Sequence, residues 1–344
     1  MTEGSSTEMG LCTWMSDLPD ELLEFPVICL AIPGSHDSMS YTIKRGARLA
    51  PDCLPILYRL SPYLGPIVRR LSYNWCITQH ATASVQLLNG IRYFDLRVSK
   101  KNDVDGFYFV HSSYGAKINE ELKTINVFLE DFRHEIVILD FQHIYNFKDK
   151  DHIELISFLH ATFSSKICVI PSSLSSVTLR WMRSHNYQVI LIYRNEIVKN
   201  LSSFWPLGCW PTPWPDTTSI KSMLNFLTKG LTNRPHGKGY VTQCVLTPDV
   251  KYIISHLYST LKKSCVNRCN HAAIPWILEQ KISNCYGINV VIADFIDQEN
   301  GAFPESVISL NYKSVGMNRS NVTQDIIKNR SSIPVGVVKA ATKG

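Results

Sequence analysis

Side chains that can carry out chemistry recur where apolar segments of the sequence end. The segment 27–32 (VICLAI) is followed by Pro-Gly-Ser and then at once by His36 and Asp37. The segment FYFVH ends in His111, and INVVIADFI carries Asp294 near its end. A strand in the core needs none of these polar residues. A loop that transfers protons at a strand end needs them.

The segment 91–98 (IRYFDLRV) places a carboxylate and a guanidinium on one face. Because strand side chains alternate between faces, Asp95 and Arg97 point the same way, as do Ile91 and Tyr93. The opposite face is mostly apolar and suits packing against helices, so the charged face is predicted to point inward. A buried charge is costly unless it is paired or used. A structural ion pair is one interpretation, and a grip on two phosphate oxygens is the other.

Two histidines and an arginine form a minimal set for cleaving a phosphodiester. One imidazole removes a proton from an attacking hydroxyl and the other protonates the leaving oxygen. The arginine holds the charge that builds on the phosphate. Taken alone, His111 is as readily a structural residue as a functional one. The strand 136–145 carries Asp140 and Gln142 on one face and His143 on the other. Asp294 is a single carboxylate in an apolar row, so it needs a partner such as an imidazole.

The elements that must position these residues alternate along the chain. Runs rich in Val, Ile, Phe and Tyr predict strands at 27–32, 91–98, 107–111, 136–145, 188–194, 239–246 and 288–296. Amphipathic stretches predict helices at 82–90, 119–134, 151–164, 174–184, 217–229, 248–263 and 270–284. This alternation predicts an α/β protein with a parallel sheet. Since no dinucleotide-type glycine motif is present, a closed (β/α) barrel with its site at the carboxyl ends of the strands is favoured.

Composition places further bounds on the protein. The chain has 344 residues, 45% hydrophobic and 19% charged, which allows one barrel domain at 14–312. Residues 1–13 and the basic segment 313–344 show little periodicity and are predicted to be flexible. The net charge of +6 suits a phosphate substrate or an anionic membrane surface and is too weak to indicate nucleic acid.

The sequence predicts a cytoplasmic protein that contacts membranes peripherally. The first ten residues lack an apolar signal core, and no apolar run reaches the ~18 residues of a membrane span. Ten cysteines are therefore interpreted as reduced thiols, with Cys29 and Cys244 as buried apolar residues. The segment 204–217 (FWPLGCWPTPWPDT) contains three tryptophans and four prolines, which argues against regular structure. It is predicted to pack on the barrel rim or, less favoured, to touch the membrane.

Four segments together resemble one known family. IPGSHDSMSYTI, QLLNGIRYFDLRVS, FYFVHSSYGAKINEELKTINVFLEDFRHEIVILDF and GINVVIADFI resemble the phosphatidylinositol-specific phospholipase C X-domain-containing proteins, small eukaryotic relatives of the bacterial enzymes. The resemblance covers about residues 14–312. It implies a distorted TIM-type barrel that cleaves phosphatidylinositol to diacylglycerol and an inositol phosphate, with the cyclic phosphate as first product.

The resemblance also implies a role for each candidate residue. His36 looks like the general base on the inositol 2-hydroxyl, and His111 looks like the general acid for the diacylglycerol oxygen. Arg97 looks like the phosphate clamp. Asp37 would support His111, and Asp294 would orient His36.

Metal independence follows from a contrast with the calcium-dependent eukaryotic phospholipases C. Those enzymes resemble this pattern but place Asn after the first His and an E-x-D pair on the second strand. Here the corresponding residues are Asp37 and the pair Asp95-x-Arg97, with Asp95 lining the site. An arginine at a calcium-ligand position supplies the positive charge itself, so no metal and no cofactor are predicted.

The residues that would hold the inositol depart from the bacterial pattern. Gln142 or His143 lies where those enzymes carry a lysine, Arg194 falls near an inositol-contacting arginine, and Gln243 lies near an expected acidic contact. The predicted partner is a phosphoinositide lipid at a membrane surface, with its head group left open.

Three functions are compatible with these residues. The favoured one is a metal-independent phosphodiesterase or lyase acting on a phosphoinositide, which the two histidines and Arg97 support. The second is a phosphoinositide-binding or scaffold protein with a weakened site, which the altered inositol contacts motivate. A metal-dependent glycerophosphodiesterase ranks last because its sequence signatures are absent.

Overall fold

The structure, a computed structural model, describes residues 11–102, 104–283 and 286–317. The remaining parts of the two predicted flexible ends, 1–10 and 318–344, lie outside the described residues. The strands of the described part are β1 (Ile32–Ser35), β2 (Tyr93–Lys101), β3 (Val104–His111), β4 (Ser113–Lys117), β5 (Val137–Tyr145), β6 (Val189–Tyr193), β7 (Val241–Cys244), β8 (Ile282–Ser283), β9 (Tyr286–Gly287) and β10 (Val290–Ala293).

Helices connect most of these strands. They are α1 (Asp20–Leu23), α2 (Pro55–Cys76), α3 (Ala83–Leu88), α4 (Ile118–Asp131), α5 (Asp149–Phe163), α6 (Leu179–Ser184), α7 (Ile220–Thr232), α8 (Val250–Ser255), α9 (Asn267–Glu279) and α10 (Ala302–Ser314). Each predicted helix is present with shifted ends. The predicted 248–263 is the most shortened, because only α8 forms within it before a π-helical turn at Lys262–Val266.

Six strands are parallel neighbours in the order β6–β5–β2–β1–β10–β7. Helices lie between consecutive strands and cover the outside, so the predicted α/β barrel is confirmed. Two features distort it. A hairpin branches from β2, and β6 and β7 do not pair with each other within the described residues.

The hairpin overturns one expectation. His111 ends β3, which runs antiparallel to β2 and not as a parallel barrel strand. Only two residues separate β2 from β3, and so short a connection allows an antiparallel hairpin but not a parallel crossover. Strand β4, which was not predicted, adds antiparallel to β3.

The gap between β6 and β7 is filled by the Trp- and Pro-rich segment, here called the seam segment (residues 204–214). Trp205 N–H donates to the Leu191 carbonyl of β6 at 2.7 Å, while the Pro211 carbonyl accepts from Val241 N–H of β7 at 2.9 Å. Prolines prevent a regular strand, so the segment hydrogen-bonds first to β6 and then to β7. The barrel is closed by irregular chain.

Alternating side chains divide the sheet into an inner and an outer layer. Inner residues such as Tyr93, Ile138, Ile192 and Ile292 form one apolar cluster with the buried tryptophans of the seam segment. Outer residues such as Phe94, Leu139 and Val291 pack against the helices. The predicted inward face of β2 is confirmed from Tyr93 onward, whereas Ile91 precedes the strand and packs in the outer cluster.

The first strand is displaced from its prediction. Val27–Cys29 form a 3-10 turn, and β1 is the segment Ile32–Ser35. β1 therefore contains Gly34, where an added Cβ would lie 2.9 Å from side-chain atoms of Tyr93 and Ile292. Only glycine allows neighbouring chains to approach this closely, so the Pro-Gly-Ser sequence belongs to the strand.

Helix α2 was not predicted because it contains Pro62 and Pro66. It is kinked, with non-helical angles at Leu64 (φ −125°), and proline inside a helix accounts for such a break. α2 begins with Pro55, the helix position that tolerates proline best.

The start of the described chain differs from expectation. Leu11 and Cys12 are buried, so the core begins before residue 14.

Cys29 is disulfide-bonded, so the interpretation of Cys29 as a free thiol is wrong; its spacing in the sequence gave no sign of a bond. Cys244 is a buried free thiol, as predicted. No helix in the described ranges has the length and apolar character to cross a membrane.

Candidate active site

The paired ends of β1 and β10 bring His36 and Asp294 together. Ser35 and Ala293 are register partners in the parallel ladder, so the residues that follow them leave the sheet side by side. His36 Nδ1 lies 2.7 Å from Asp294 Oδ1. This contact fixes the tautomer with hydrogen on Nδ1 and leaves Nε2 to face the site.

Arg97 projects from β2 into the same space. Its Nε contacts Asp37 Oδ1, and one terminal nitrogen lies 3.5 Å from Asp95 Oδ2 and 3.2 Å from His36 Nε2. The Asp37 backbone N–H donates to Asp95 Oδ2 at 3.1 Å. Asp95 thus holds the turn after His36 and contacts the guanidinium.

His111 reaches the site from the hairpin. Its Nδ1 lies 2.6 Å from the Cys76 carbonyl at the end of α2, so Nδ1 donates and Nε2 is free to act. His111 Nε2 lies 3.2 Å from Asp37 Oδ2, and His36 Nε2 lies 3.4 Å from the same oxygen. The two imidazole centroids are 6.3 Å apart. Both reactive nitrogens therefore converge on one carboxylate oxygen.

The charges of the site shift the pKa values of its members. Burial lowers the pKa of His36, but Asp37 and Asp294 outweigh it and raise the pKa to about 9. Burial raises the pKa of Asp37, but Arg97 and the two histidines outweigh it, and the pKa is lowered. Burial also opposes the charge of Arg97, yet Asp37 and Asp95 raise its pKa. Asp37 and Arg97 are thus ionised at neutral pH.

The chain turns sharply at each site strand. Asp37 (φ 40°), Ser112 (φ 55°) and Phe295 (φ 46°) all have left-handed backbone angles, and each follows a strand end that carries a site residue. Such angles cost non-glycine residues about 1–3 kcal/mol. The surrounding fold holds this strain, which aims His36, His111 and Asp294 inward.

A buried glutamine, not predicted, clamps two of these turns. The Gln79 amide donates to the His36 carbonyl at 3.0 Å and to the Ala293 carbonyl at 2.9 Å, while its Oε1 accepts from Ile296 N–H. Gln79 is fully buried. Nothing in the local sequence signals this role, because the contacts join segments more than 40 residues apart.

A β-bulge alters the predicted face of His143. Leu96 pairs with Phe141, but Arg97 pairs with His143, so Gln142 is the extra residue. The prediction that His143 lies on the face opposite Gln142 is therefore wrong, since His143 shares a register position with Arg97. Partial burial of the His143 ring and the nearby Arg97 guanidinium lower the pKa of His143.

The predicted inositol-contacting residues form a second network beside the first. Arg194 makes a paired contact with Asp140, at 2.8 and 2.6 Å. Gln142 Nε2 donates to Tyr93 Oη at 2.9 Å, and Tyr93 Oη donates to Asp140. Tyr93 was not among the predicted site residues, although its inward position on β2 could have identified it.

Gln243 lies at the edge of this network. Its Nε2 donates to the Thr212 carbonyl at 3.0 Å, and the Thr212 hydroxyl contacts Gln142 Oε1 at 3.4 Å. The seam segment therefore joins the two glutamines. This end of the site is held by amides and one closed ion pair.

One group among the described residues could hold a metal ion: His36, Asp37 and Asp95. Arg97 contacts both of these carboxylates. A divalent cation would have to displace the guanidinium from the same oxygens, so the group fits a metal poorly while Arg97 is in place.

The tryptophans of the seam segment do not reach outward as a set. Trp205 and Trp210 are fully buried, which contradicts a role for them at a membrane, whereas packing on the barrel is confirmed. Trp214 is 51% exposed, and its indole N–H donates to Thr247.

Solved structures of bacterial phospholipases share this barrel, although no protein-family model matches the chain. The phosphatidylinositol-specific phospholipase C from Listeria monocytogenes superposes with a TM-score of 0.57 at 19% identity, over 87% of this chain and 97% of that one. A mutant of the enzyme from Staphylococcus aureus gives a TM-score of 0.59 at 14% identity, over 87% and 95%. The fold is therefore the distorted TIM-type barrel of these bacterial phospholipases.

Curated relatives give the family. PI-PLC X domain-containing protein 3 of Homo sapiens is 35% identical over 309 residues, 89% of this chain and 95% of its own. PI-PLC X domain-containing protein 2 of Mus musculus is 37% identical over 313 residues, 90% of each chain. The chain belongs to the PI-PLC X domain-containing proteins.

Proposed function

We propose that this protein cleaves phosphatidylinositol-type phosphodiesters without a metal ion, by two-histidine acid–base catalysis. His36 Nε2 takes the proton of the inositol 2-hydroxyl as its oxygen attacks phosphorus. The bond from phosphorus to the diacylglycerol oxygen breaks, and His111 protonates that oxygen. The products are diacylglycerol and a cyclic inositol phosphate, which water can open with the two histidine roles reversed.

One observation carries this proposal. The Nε2 atoms of His36 and His111 converge on Asp37 Oδ2, beside the Arg97 guanidinium. A base and an acid are then available on two sides of one phosphate. Arg97 carries a fixed positive charge and five donors, which suit the charge that develops on the phosphate oxygens.

The raised pKa of His36 sets the conditions for this mechanism. With a pKa of about 9, only about 1% of His36 is neutral at pH 7 in the free protein. The neutral fraction is a strong base, held by Asp294 in the reactive tautomer. The fraction of His36 that can act as base therefore increases toward alkaline pH, while the acid role requires His111 to keep its proton.

We further propose that the site reaches its lipid through an apolar rim. On α2, Tyr63 and Ile67 are 85% and 65% exposed, and in α8 and the turn after it Ile254 and Tyr258 are also exposed. Trp75 at the end of α2 contacts Tyr252 of α8, with ring centroids 6.2 Å apart. In the chain, α2 comes after β1 and α8 comes after β7, so both exposed groups follow carboxyl ends of strands, the end of the barrel that carries the site. This end of the barrel can therefore face a membrane containing phosphoinositide. A cytoplasmic location remains a prediction.

Phosphorus NMR tests the cleavage directly. The purified full chain is incubated with phosphatidylinositol in mixed micelles containing EDTA, beside His36→Ala and His111→Ala variants. A cyclic inositol phosphate signal that both variants lose supports the proposal. A signal that appears only when calcium replaces EDTA contradicts metal independence.

A second function, phosphoinositide binding with weak or no catalysis, is favoured by one observation. The Arg194–Asp140 ion pair is closed on itself, so the charge of Arg194 is already compensated where an inositol would lie. Lipid binding that survives in His36→Ala, with no product from the wild-type protein in either buffer, identifies this alternative.

A further inference from the structure

A second polar cavity lies outside the acid–base site. It has a volume of about 520 Å³ and lies between α2 and the outer ends of the β2–β3–β4 hairpins. Its described lining contains no Asp or Glu and includes Arg48, Arg69, Lys101, Tyr58, Tyr114 and Asn146. This volume is in the range of small-molecule sites, about 300–1,000 Å³.

Two cations of this cavity have no ion-pair partner among the described residues, although the Asp52 carboxylate acts on Tyr58 of the same lining. Lys101 Nζ lies 3.7 Å from the centre of the Tyr108 ring and 4.8 Å from that of Tyr114. Neither Lys101 nor Arg69 forms an ion pair with another described residue. Burial lowers the pKa of Lys101, and the nearby charges of Arg48 and Lys117 lower it further. An anion in the cavity would relieve this repulsion.

The cavity is separate from the phosphate clamp. Lys101 follows Arg97 by four residues on β2, which at a rise of about 3.3 Å per residue places their backbones about 13 Å apart. The Lys101 ammonium lies against the Tyr108 and Tyr114 rings, whereas the Arg97 guanidinium is held by two carboxylates of the acid–base site. Arg69 projects from α2, the same helix that carries the exposed apolar residues of the rim.

We propose that this cavity binds a second phosphate anion, distinct from the scissile one. Two sources share this chemistry: the head group of a phospholipid beside the substrate, or a soluble phosphate ester. Arg69 and Lys101 would supply the charge, and the Tyr58 and Tyr114 hydroxyls would supply hydrogen bonds. Only the lipid source depends on the membrane contact proposed above.

Two binding measurements on the full chain distinguish the sources. In solution, inorganic phosphate and glycerol 3-phosphate are titrated by calorimetry. At a membrane, co-sedimentation is measured with phosphatidylcholine vesicles with and without phosphatidic acid. The variants are Arg69→Gln and Lys101→Gln. The matched control is Arg59→Gln, which removes an exposed arginine of α2 that does not line the cavity.

We expect Arg69→Gln and Lys101→Gln each to weaken binding at least about fivefold, and Arg59→Gln less than about twofold. A difference in calorimetry identifies a soluble ester, and a difference in sedimentation alone identifies a lipid head group. Equal losses in all three variants, or no binding of any probe, overturn the proposal. Thermal unfolding confirms that the variants fold, and because no turnover is needed, the result is independent of whether the chain cleaves lipid.

Discussion

Asp37 is the residue that joins the parts of the site. Its carboxylate contacts Arg97 and the Nε2 atoms of both histidines. The position of this carboxylate between Arg97 and the two histidine rings explains why its pKa is lowered in spite of burial. It also explains why the fold maintains a strained backbone angle at this position.

The pH dependence of the proposed reaction depends on His36. Since Asp294 raises the pKa of His36, we expect Asp294→Asn to lower that pKa. In the wild type, the neutral His36 base increases as pH rises toward about 9, while the acid role of His111 requires that histidine to keep its proton, so kcat/KM should pass through an optimum. The variant should be slower at its optimum and reach that optimum at lower pH. A pH profile of kcat/KM for both proteins checks this. If the rising part of the profile has the same midpoint in both proteins, His36 is excluded as the titrating base.

The same shift contributes to stability. Because the folded pKa of His36 lies above its ordinary value, the contribution is fully present below about pH 6.5 and is lost as pH rises through about 9. The lowered pKa of Asp37 acts in the opposite sense, and its contribution is lost in acid.

Gln79 tests whether the turns after β1 and β10 position the catalytic groups. Gln79→Leu leaves two carbonyls without the amide donor, so we expect a loss of about 1–3 kcal/mol of stability and about ten- to hundredfold in kcat. The control is Gln188→Leu, a buried glutamine whose amide donates to the Leu129, Phe132 and Glu135 carbonyls away from the site. It should lose similar stability with kcat unchanged. Equal kcat values for the two variants would contradict a positioning role.

The residues whose positions follow from strand alternation or from a motif lie where the sequence predicts them. Asp95 and Arg97 share the inner face of β2 as predicted, and His36 meets Asp294 because parallel neighbours end together. The predicted face of His143 is wrong, because a single extra residue in β5 reverses the alternation after it. Such a bulge depends on how two strands pair, and the sequence of one strand does not contain that information.

At the scale of elements, the seam segment replaces a barrel strand. An added Cβ at Gly239 would lie about 2.0 Å from the Trp210 ring, which is fully buried and cannot move away. We expect Gly239→Ala to destabilise the protein by about 1–3 kcal/mol through overpacking. Gly208→Ala, within the seam segment itself, is the control, because nothing lies within 4 Å of its added Cβ. Chemical denaturation measures both, and equal midpoints would show that Trp210 does not brace the seam.

The errors in the predicted elements have physical causes. Strand β1 was placed too early because an apolar run resembles a strand even where its residues form a 3-10 turn. Helix α2 was missed because Pro62 and Pro66 count against a helix, yet tertiary packing sustains one across the kink. The run that became β3 was correctly predicted as a strand, but its direction depends on the short connection from β2.

At the scale of the whole molecule, the apolar rim predicts how the barrel meets a membrane. We expect Ile67→Ser to weaken binding to vesicles of phosphatidylcholine and phosphatidylinositol about tenfold, since burying such a side chain contributes about 1.5–3 kcal/mol. Hydrolysis of a water-soluble inositol phosphodiester should not change. Ile153→Ser, at a similarly exposed position on α5, is the control and should bind as the wild type does. Equal binding by both variants would place the contact elsewhere.

The incomplete ring of hydrogen bonds has a consequence for how the barrel opens. β10, β1 and β2, which carry or precede Asp294, His36 and Arg97, are each paired on two sides, whereas β6 and β7 are each paired with another strand on one side and with irregular chain on the other. Backbone amides beside the irregular chain should therefore exchange with deuterium faster than those of the three central strands. In the proposed reaction, opening of the barrel at Arg194 and Gln243 would let head groups of different size enter, while His36, Asp294 and Arg97 keep their spacing.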